Sequence, residues 1–416
     1  MNLTTKKEGK TVYQYVKTGQ FKTMQVAVRF FDDLDVETTT KRHLALSMLK
    51  AKTRSHPTRR FLEKHLESLY DTSLSAHSFK MGNVHVNQFT LHLINPFYAN
   101  GEKLLTEALS VLREMLFHPA FDEKTLREEK RFLADHFRAE YADKDRYAVK
   151  RYHDHLFSDH PARAHAMGEP EQIEDVPLSE IEKTHRRMLR ENGILVGVVG
   201  DIDVARTHAL VKEKLPFANE RVLPASFFDK RPFVAREEVR ETMRLQQERL
   251  FMTLSTGIHY GDADYHAALV MNTLFGEGSE SLLFRRVRIE DSLAYHISSR
   301  YLPFYGLATI HSAMKKDSVE QAKARVEGAL SSLHTGDFHH ADLERAKNHL
   351  VRSVKHTFDS PSGLSALALR NELLSAPLDE NETIASIRSV RKEDIERIAA
   401  SSSFIFTFTL GGETDG

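Results

Sequence analysis

One order of strand-like and helical segments runs twice along this chain, and that repetition limits the possible folds more than any other feature. In the first half, residues 24–31 are rich in β-branched and aromatic types and read as a strand. Helical patterns follow over 39–53 and 58–70. In the second of these, Phe61, Leu62, His65, Leu66 and Leu69 recur at three- to four-residue spacing. Residues 73–94 alternate as two strands about the turn Met81-Gly82-Asn83. Amphipathic helices are predicted over 101–117 and 122–158, and residues 193–200 close the half as a buried strand. The second half repeats the plan: a strand at 250–257, helices at 263–275 and 280–290, strands at 294–299 and 306–313, helices at 317–334 and 340–358, and a last strand at 404–410. Strands with intervening long helices, twice over, argue for two α+β domains. They are placed at 1–215 and 239–416, joined by a linker at 216–238 that carries Pro224 and Pro232.

Composition closes off several function classes. The 416 residues are 28% charged with a formal net charge of −1, so no global field draws the chain to nucleic acid or to an anionic membrane. There is no cysteine, which removes disulfides, thiolate zinc sites and cysteine nucleophiles together. No apolar run reaches the roughly 18 residues of a membrane span, and the N-terminus lacks a signal-peptide core. A cytoplasmic address is the expectation. Gly276-Glu-Gly-Ser lacks the lysine and spacing of a phosphate loop, and no Gly-x-Ser-x-Gly elbow occurs. Neither His-x-x-Glu-His nor His-Glu-x-x-His is present among the 23 histidines. His153, His155, His160 and His165 cluster in sequence, but i and i+2 on a helix point apart.

Six segments in order carry a more specific signal. They are Leu156-Phe-Ser-Asp-His-Pro161, Gly168-Glu-Pro-Glu-Gln-Ile173, His185-Arg-Arg-Met leading to Asn192–Ile202, Gly276–Phe284, Arg288 to Tyr295, and Leu343–Leu350. Together they resemble the pitrilysin, insulysin and mitochondrial-processing-peptidase family of inverted-motif zinc proteases. The resemblance spans nearly the whole chain. It implies two homologous domains, each a mixed β-sheet with helices packed on one side, arranged as a clamshell.

In catalytic relatives two histidines at i and i+4 on the first helix hold zinc, the glutamate between them acts as base, and a later helix adds a third ligand. The resemblance places those positions here at His43, Leu46 and Ser47, with His136 nearest the third ligand. One histidine of the motif survives, so no metal is assigned. Arg288 and Tyr295 match the element that contacts substrate near the scissile bond. The residues between 84 and 94 are expected to form an edge strand to which a peptide could add.

The implied role is that of a non-catalytic partner subunit. It would help enclose an extended peptide for a motif-bearing paralogue, with a connection to elongation factor P modification. Two other readings stand beside it: a homodimeric or stand-alone peptide-binding scaffold, and an endopeptidase with zinc in a rebuilt site.

Overall fold

The computed structural model describes residues 1–99, 101–228, 233, 238–376 and 378–412. Residues 229–232 and 234–237 of the expected linker therefore lie outside the described residues. Among the described residues eleven strands, β1 (Asn2–Glu8), β2 (Thr11–Lys17), β3 (Thr23–Asp33), β4 (Ser73–Met81), β5 (Val84–Ile94), β6 (Gly193–Gly200), β7 (Val239–Met243), β8 (Glu248–Ser255), β9 (Ala294–Leu302), β10 (Leu307–Met314) and β11 (Ser403–Gly412), form two sheets. Their orders are β1-β2-β6-β3-β5-β4 and β7-β11-β8-β10-β9. Both sheets are mixed. The β2–β6 and β7–β11 pairs are parallel, and the other pairs are antiparallel. The fold class is α+β, with two sheets of like plan.

In the first unit, strand alternation sends Met24, Val26, Val28 and Phe30 of β3 to one face, where they meet Phe89, Leu91 and Leu93 of β5. Helices Val36–Ala51, Glu102–Phe117 and Leu178–Glu191 complete that core through Leu46, Leu49, Leu109, Leu112 and Met188. The first of these helices begins where Asp35 accepts a hydrogen bond from Glu37 N, a cap typically worth ~1 kcal/mol. In the second unit, Leu250, Met252 and Leu254 of β8 pack with helices Tyr265–Gly276, Val319–Thr335 and Lys392–Ser401.

Each compact unit takes a helix from the other half of the sequence. The first comprises 1–139, 159–227 and 357–378, and the second 140–158, 228–356 and 379–416. Two departures from the sequence reading follow. The helix expected over 122–158 is two helices, Glu123–Ala142 and Lys144–Leu156, because Asp143 leaves helical geometry and caps the second through Asp145 N and Arg146 N. Lys144–Leu156 then lies on the second sheet, where Tyr152 stacks on Phe251 at 4.7 Å and its hydroxyl meets Thr253 Oγ1 at 2.6 Å. Helix Pro361–Leu374 correspondingly covers the first sheet on the face away from its apolar core.

The expected edge strand is also corrected. β5 (Val84–Ile94) is hydrogen-bonded on both sides, to β3 and β4, and is central. Its hairpin partner β4 is the edge, since alternation reveals which face a residue takes but not which strand lies outermost. Among the described residues no helix is long and apolar enough to cross a membrane.

Candidate functional site

Helix Val36–Ala51 carries His43, Leu46 and Ser47, where the sequence resemblance leads one to expect the zinc motif, and its packing decides what each can do. Leu46 is 1% exposed and points into the sheet core beside Leu49 and Phe89. Ser47 is half-buried. His136, on helix Glu123–Ala142, is exposed, while the next residue, Phe137, is buried against Leu44, Ala45 and Met48. Phe137 also meets the His165 ring at 5.2 Å. Apolar side chains of the two helices thus pack together at Phe137, Leu44, Ala45 and Met48.

His43 is held rather than idle. Its Nδ1 lies 2.9 Å from Ser78 Oγ, and Ser78 donates to Asn87 Oδ1 at 2.8 Å. Asn87 in turn donates to the Arg42 carbonyl at 3.0 Å. A serine hydroxyl has one proton, and it is committed to Asn87, so the contact requires the proton on His43 Nδ1. Burial holds the His43 pKa down to about 4, and the neighbouring His165, His136 and His77 push it the same way.

The sign of the pH effect follows directly. The unfolded chain binds more protons than the folded one below the ordinary value of 6.5, so stability falls as pH drops from about 6.5 toward 4. Substituting His43→Gln should flatten the pH dependence of the urea midpoint in that window. An unchanged slope would assign the acid sensitivity to other groups.

The loop that closes over this helix is fixed by Gly168, whose φ is +102° and where a Cβ would come within 2.3 Å of Thr40. Glu169 N donates to Thr40 Oγ1 at 2.9 Å, and Thr40 donates to Gln172 Oε1 at 2.6 Å. Arg42, which motif reasoning passes over, is the hub beneath. It is 3% exposed. Its Nε donates to His85 Nδ1, and its Nη1 donates to Asp32 Oδ2 and Asn192 Oδ1, all at 2.8 Å. His85 Nε2 donates to the Ala166 carbonyl at 2.8 Å. A signal for this hub does exist in the sequence: Thr39, Arg42, Leu46 and Leu49 share one helical stripe, and a charge on a buried stripe needs an internal partner.

The other histidines noted in the sequence serve local roles. His155 Nε2 meets Glu241 at 2.7 Å, and His160 Nδ1 accepts from Ala162 N at 3.0 Å. Among the described residues no group of three or more His, Asp or Glu could hold a metal ion. The donor set at the old motif, one tied imidazole beside a core leucine and a serine, does not fit tetrahedral zinc.

The second unit places Arg288 and Tyr295 on the surface through three backbone irregularities in twelve residues. Residues Phe284–Glu290 form a π-helix, and within it the Arg288 guanidinium lies 4.8 Å over the Phe284 ring. Ser292 has φ +54°, the left-handed region. Pairing between β9 and β10 then skips Tyr295, with His296 opposite Ala313 and Ala294 opposite Met314. This bulge turns the Tyr295 ring outward, leaving it 57% exposed on an edge strand. Arg288 has no ion-pair partner and the Tyr295 hydroxyl no hydrogen bond among the described residues.

A relative from Bacillus subtilis (strain 168) described as "Probable inactive metalloprotease YmfF" is 31% identical over 99% of this chain and 97% of its own. The chain belongs to the M16 peptidase family. The family model for the peptidase M16 inactive domain matches residues 175–350. A conserved protein from Enterococcus faecalis V583 superposes with a TM-score of 0.94 at 26% identity, covering 100% of both chains. A peptidase M16 inactive domain from Pseudomonas fluorescens superposes with a TM-score of 0.83 at 15% identity, over 100% of this chain and 98% of that one, which bears on fold alone. Within the M16 family this chain is a non-catalytic, peptidase-like homologue.

Proposed function

We propose that this M16 homologue is the non-catalytic subunit of a peptide-handling pair. It presents Arg288 and Tyr295 to an extended peptide and leaves cleavage to a motif-bearing paralogue. The observation that carries this reading is the run of π-helix, left-handed Ser292 and β-bulge that turns these two side chains outward. Such irregularities cost stability and concentrate at binding sites. An exposed tyrosine and an exposed arginine, the latter held only by the Phe284 ring among the described residues, are the types that anchor interfaces. The open edge β4 adds a row of main-chain groups able to pair with an extended segment, and its Ser78 is the residue tied to His43.

Coexpression with a His-x-x-Glu-His paralogue tests the pairing. A stable complex whose peptide cleavage exceeds that of the paralogue alone is expected. The double substitution Arg288→Ala, Tyr295→Phe should weaken peptide binding roughly tenfold with no change in melting temperature, as both side chains are exposed. No complex, together with a paralogue indifferent to this chain, would move the reading to a stand-alone or homodimeric scaffold. Stoichiometric zinc with chelator-sensitive cleavage by this chain alone would replace it with a rebuilt peptidase. Elongation factor P belongs among the candidate partners in the same coexpression, on the strength of the sequence resemblance.

A further inference from the structure

Within the second unit, helix His340–Phe358 and the turn after helix Tyr265–Gly276 line a cleft of about 400 Å³. That volume falls in the range of small-molecule sites. The turn is the Gly276-Glu-Gly-Ser segment, whose residues exclude a phosphate loop. The charges around the cleft fall into two sets, and the inner set is closed. Asp342, its side chain 1% exposed, accepts from Arg285 Nη2 at 2.9 Å and from Arg345 Nη2. Arg345 Nε also faces Glu280 Oε2 at 3.6 Å. Two guanidinium groups and two carboxylates thus answer one another.

The outer set is open. Glu277 Oε2 accepts from Thr273 Oγ1 at 2.8 Å, while its Oε1 stands 4.0 Å from His349 Nε2, too far for a hydrogen bond. Arg352 has no hydrogen-bond or ion-pair partner among the described residues. Glu277 and Arg352 line the same cleft, yet no ion pair joins them. His349, which faces Glu277, and Arg352 are three apart on one helix. Residues so spaced are neighbours on a helix surface, with Cβ atoms roughly 5–6 Å apart. The cleft also has an apolar lining in Leu274 and Ala346, both buried.

We propose that this cleft binds a basic amino-acid residue, lysine or arginine, by its free carboxylate and its side-chain cation together. The carboxylate pairs with Arg352, the cation with Glu277, and the methylene stem lies on Leu274 and Ala346. An arginine–carboxylate pair is charge-assisted and can be bidentate. A lysine carries its ammonium on a flexible four-carbon stem, so its two charges can span about one helical turn. A phosphate or other dianion suits the cleft less, because Glu277 and Glu280 both line it and would repel the second charge. The residue can be a free amino acid or the last residue of a peptide, since both present this pair of charges. The site lies on this chain alone and does not depend on the paired-subunit reading.

The test is a titration of the full chain with Nα-acetyl-lysine, followed by saturation-transfer NMR. Binding is expected, and it should weaken roughly three- to tenfold for the C-terminal amide, which lacks the carboxylate, and for Nα-acetyl-norleucine, which lacks the cation. Arg352→Gln should bind the acid and the amide alike, and Glu277→Gln should bind the lysine and norleucine forms alike. Both side chains are exposed, so these variants keep the parent's melting temperature. Free lysine binding as tightly as Nα-acetyl-lysine would assign the site to the amino acid; a preference for a tetrapeptide ending in lysine would assign it to a peptide end. No binding of either probe, or equal binding of acid and amide by the parent chain, would overturn the proposal. Stronger binding of inorganic phosphate, lost in Arg352→Gln, would replace it with a simple anion site.

Discussion

Leu46→Glu, the change that would write the catalytic base back into the motif, is expected to cost about 3–5 kcal/mol of stability and to yield no peptidase, even with Ser47→His added. Leu46 is 1% exposed and belongs to the same core as Leu49, Phe30 and Phe89. A carboxylate there must either be buried charged or take up a proton, and both erode stability at neutral pH. Burying a leucine contributes about 1.5–3 kcal/mol on its own account, and that is lost as well. The measurement is the urea midpoint of the single and double variants, with zinc content of the purified protein alongside. A double variant as stable as the parent that retains stoichiometric zinc would show that the helix face remains poised as a metal site.

Arg42→Met should destabilise the first unit by about 3–5 kcal/mol, the range for breaking a buried charge network from one side. The substitution leaves His85 Nδ1 and Asn192 Oδ1 without their donor, and Asp32 with only Arg221, at 3.2 Å, in place of two cations. Asp32→Asn should cost less, about 1 kcal/mol, because the amide oxygen still accepts. His85 holds the Ala166 carbonyl, so the Arg42 variant should also loosen residues 160–168, readable as faster hydrogen exchange there. A loss under 1 kcal/mol with unchanged exchange would reduce Arg42 to a replaceable core residue.

Much of this was legible from residue order. The repeated plan, the strand at 24–31 and the buried run at 193–200 follow from periodicities that act within a few residues. The absence of any His-x-x-Glu-His is also a local fact, readable in the residue order. Partner choice was less legible. The alternation in 73–94 announces a hairpin but does not say which strand remains outermost, and β5 proved to be central. The break at Asp143 was hidden inside an unbroken amphipathic pattern, though an aspartate followed by a new helical turn is the mark of a cap.

The sequence by itself determined the family, the two-sheet α+β plan and the absence of a complete zinc motif, because residue types and short spacings carry these. Only the tertiary structure decided that Leu46 is core, that His43 is tied to β4 through Ser78, that a bulge turns Tyr295 outward, and that a helix from the second half covers Arg29 on the first sheet. Each of these depends on register and on contacts between residues far apart in the chain. A one-residue slip in pairing sends a side chain to the opposite face, and no local pattern records which register is taken.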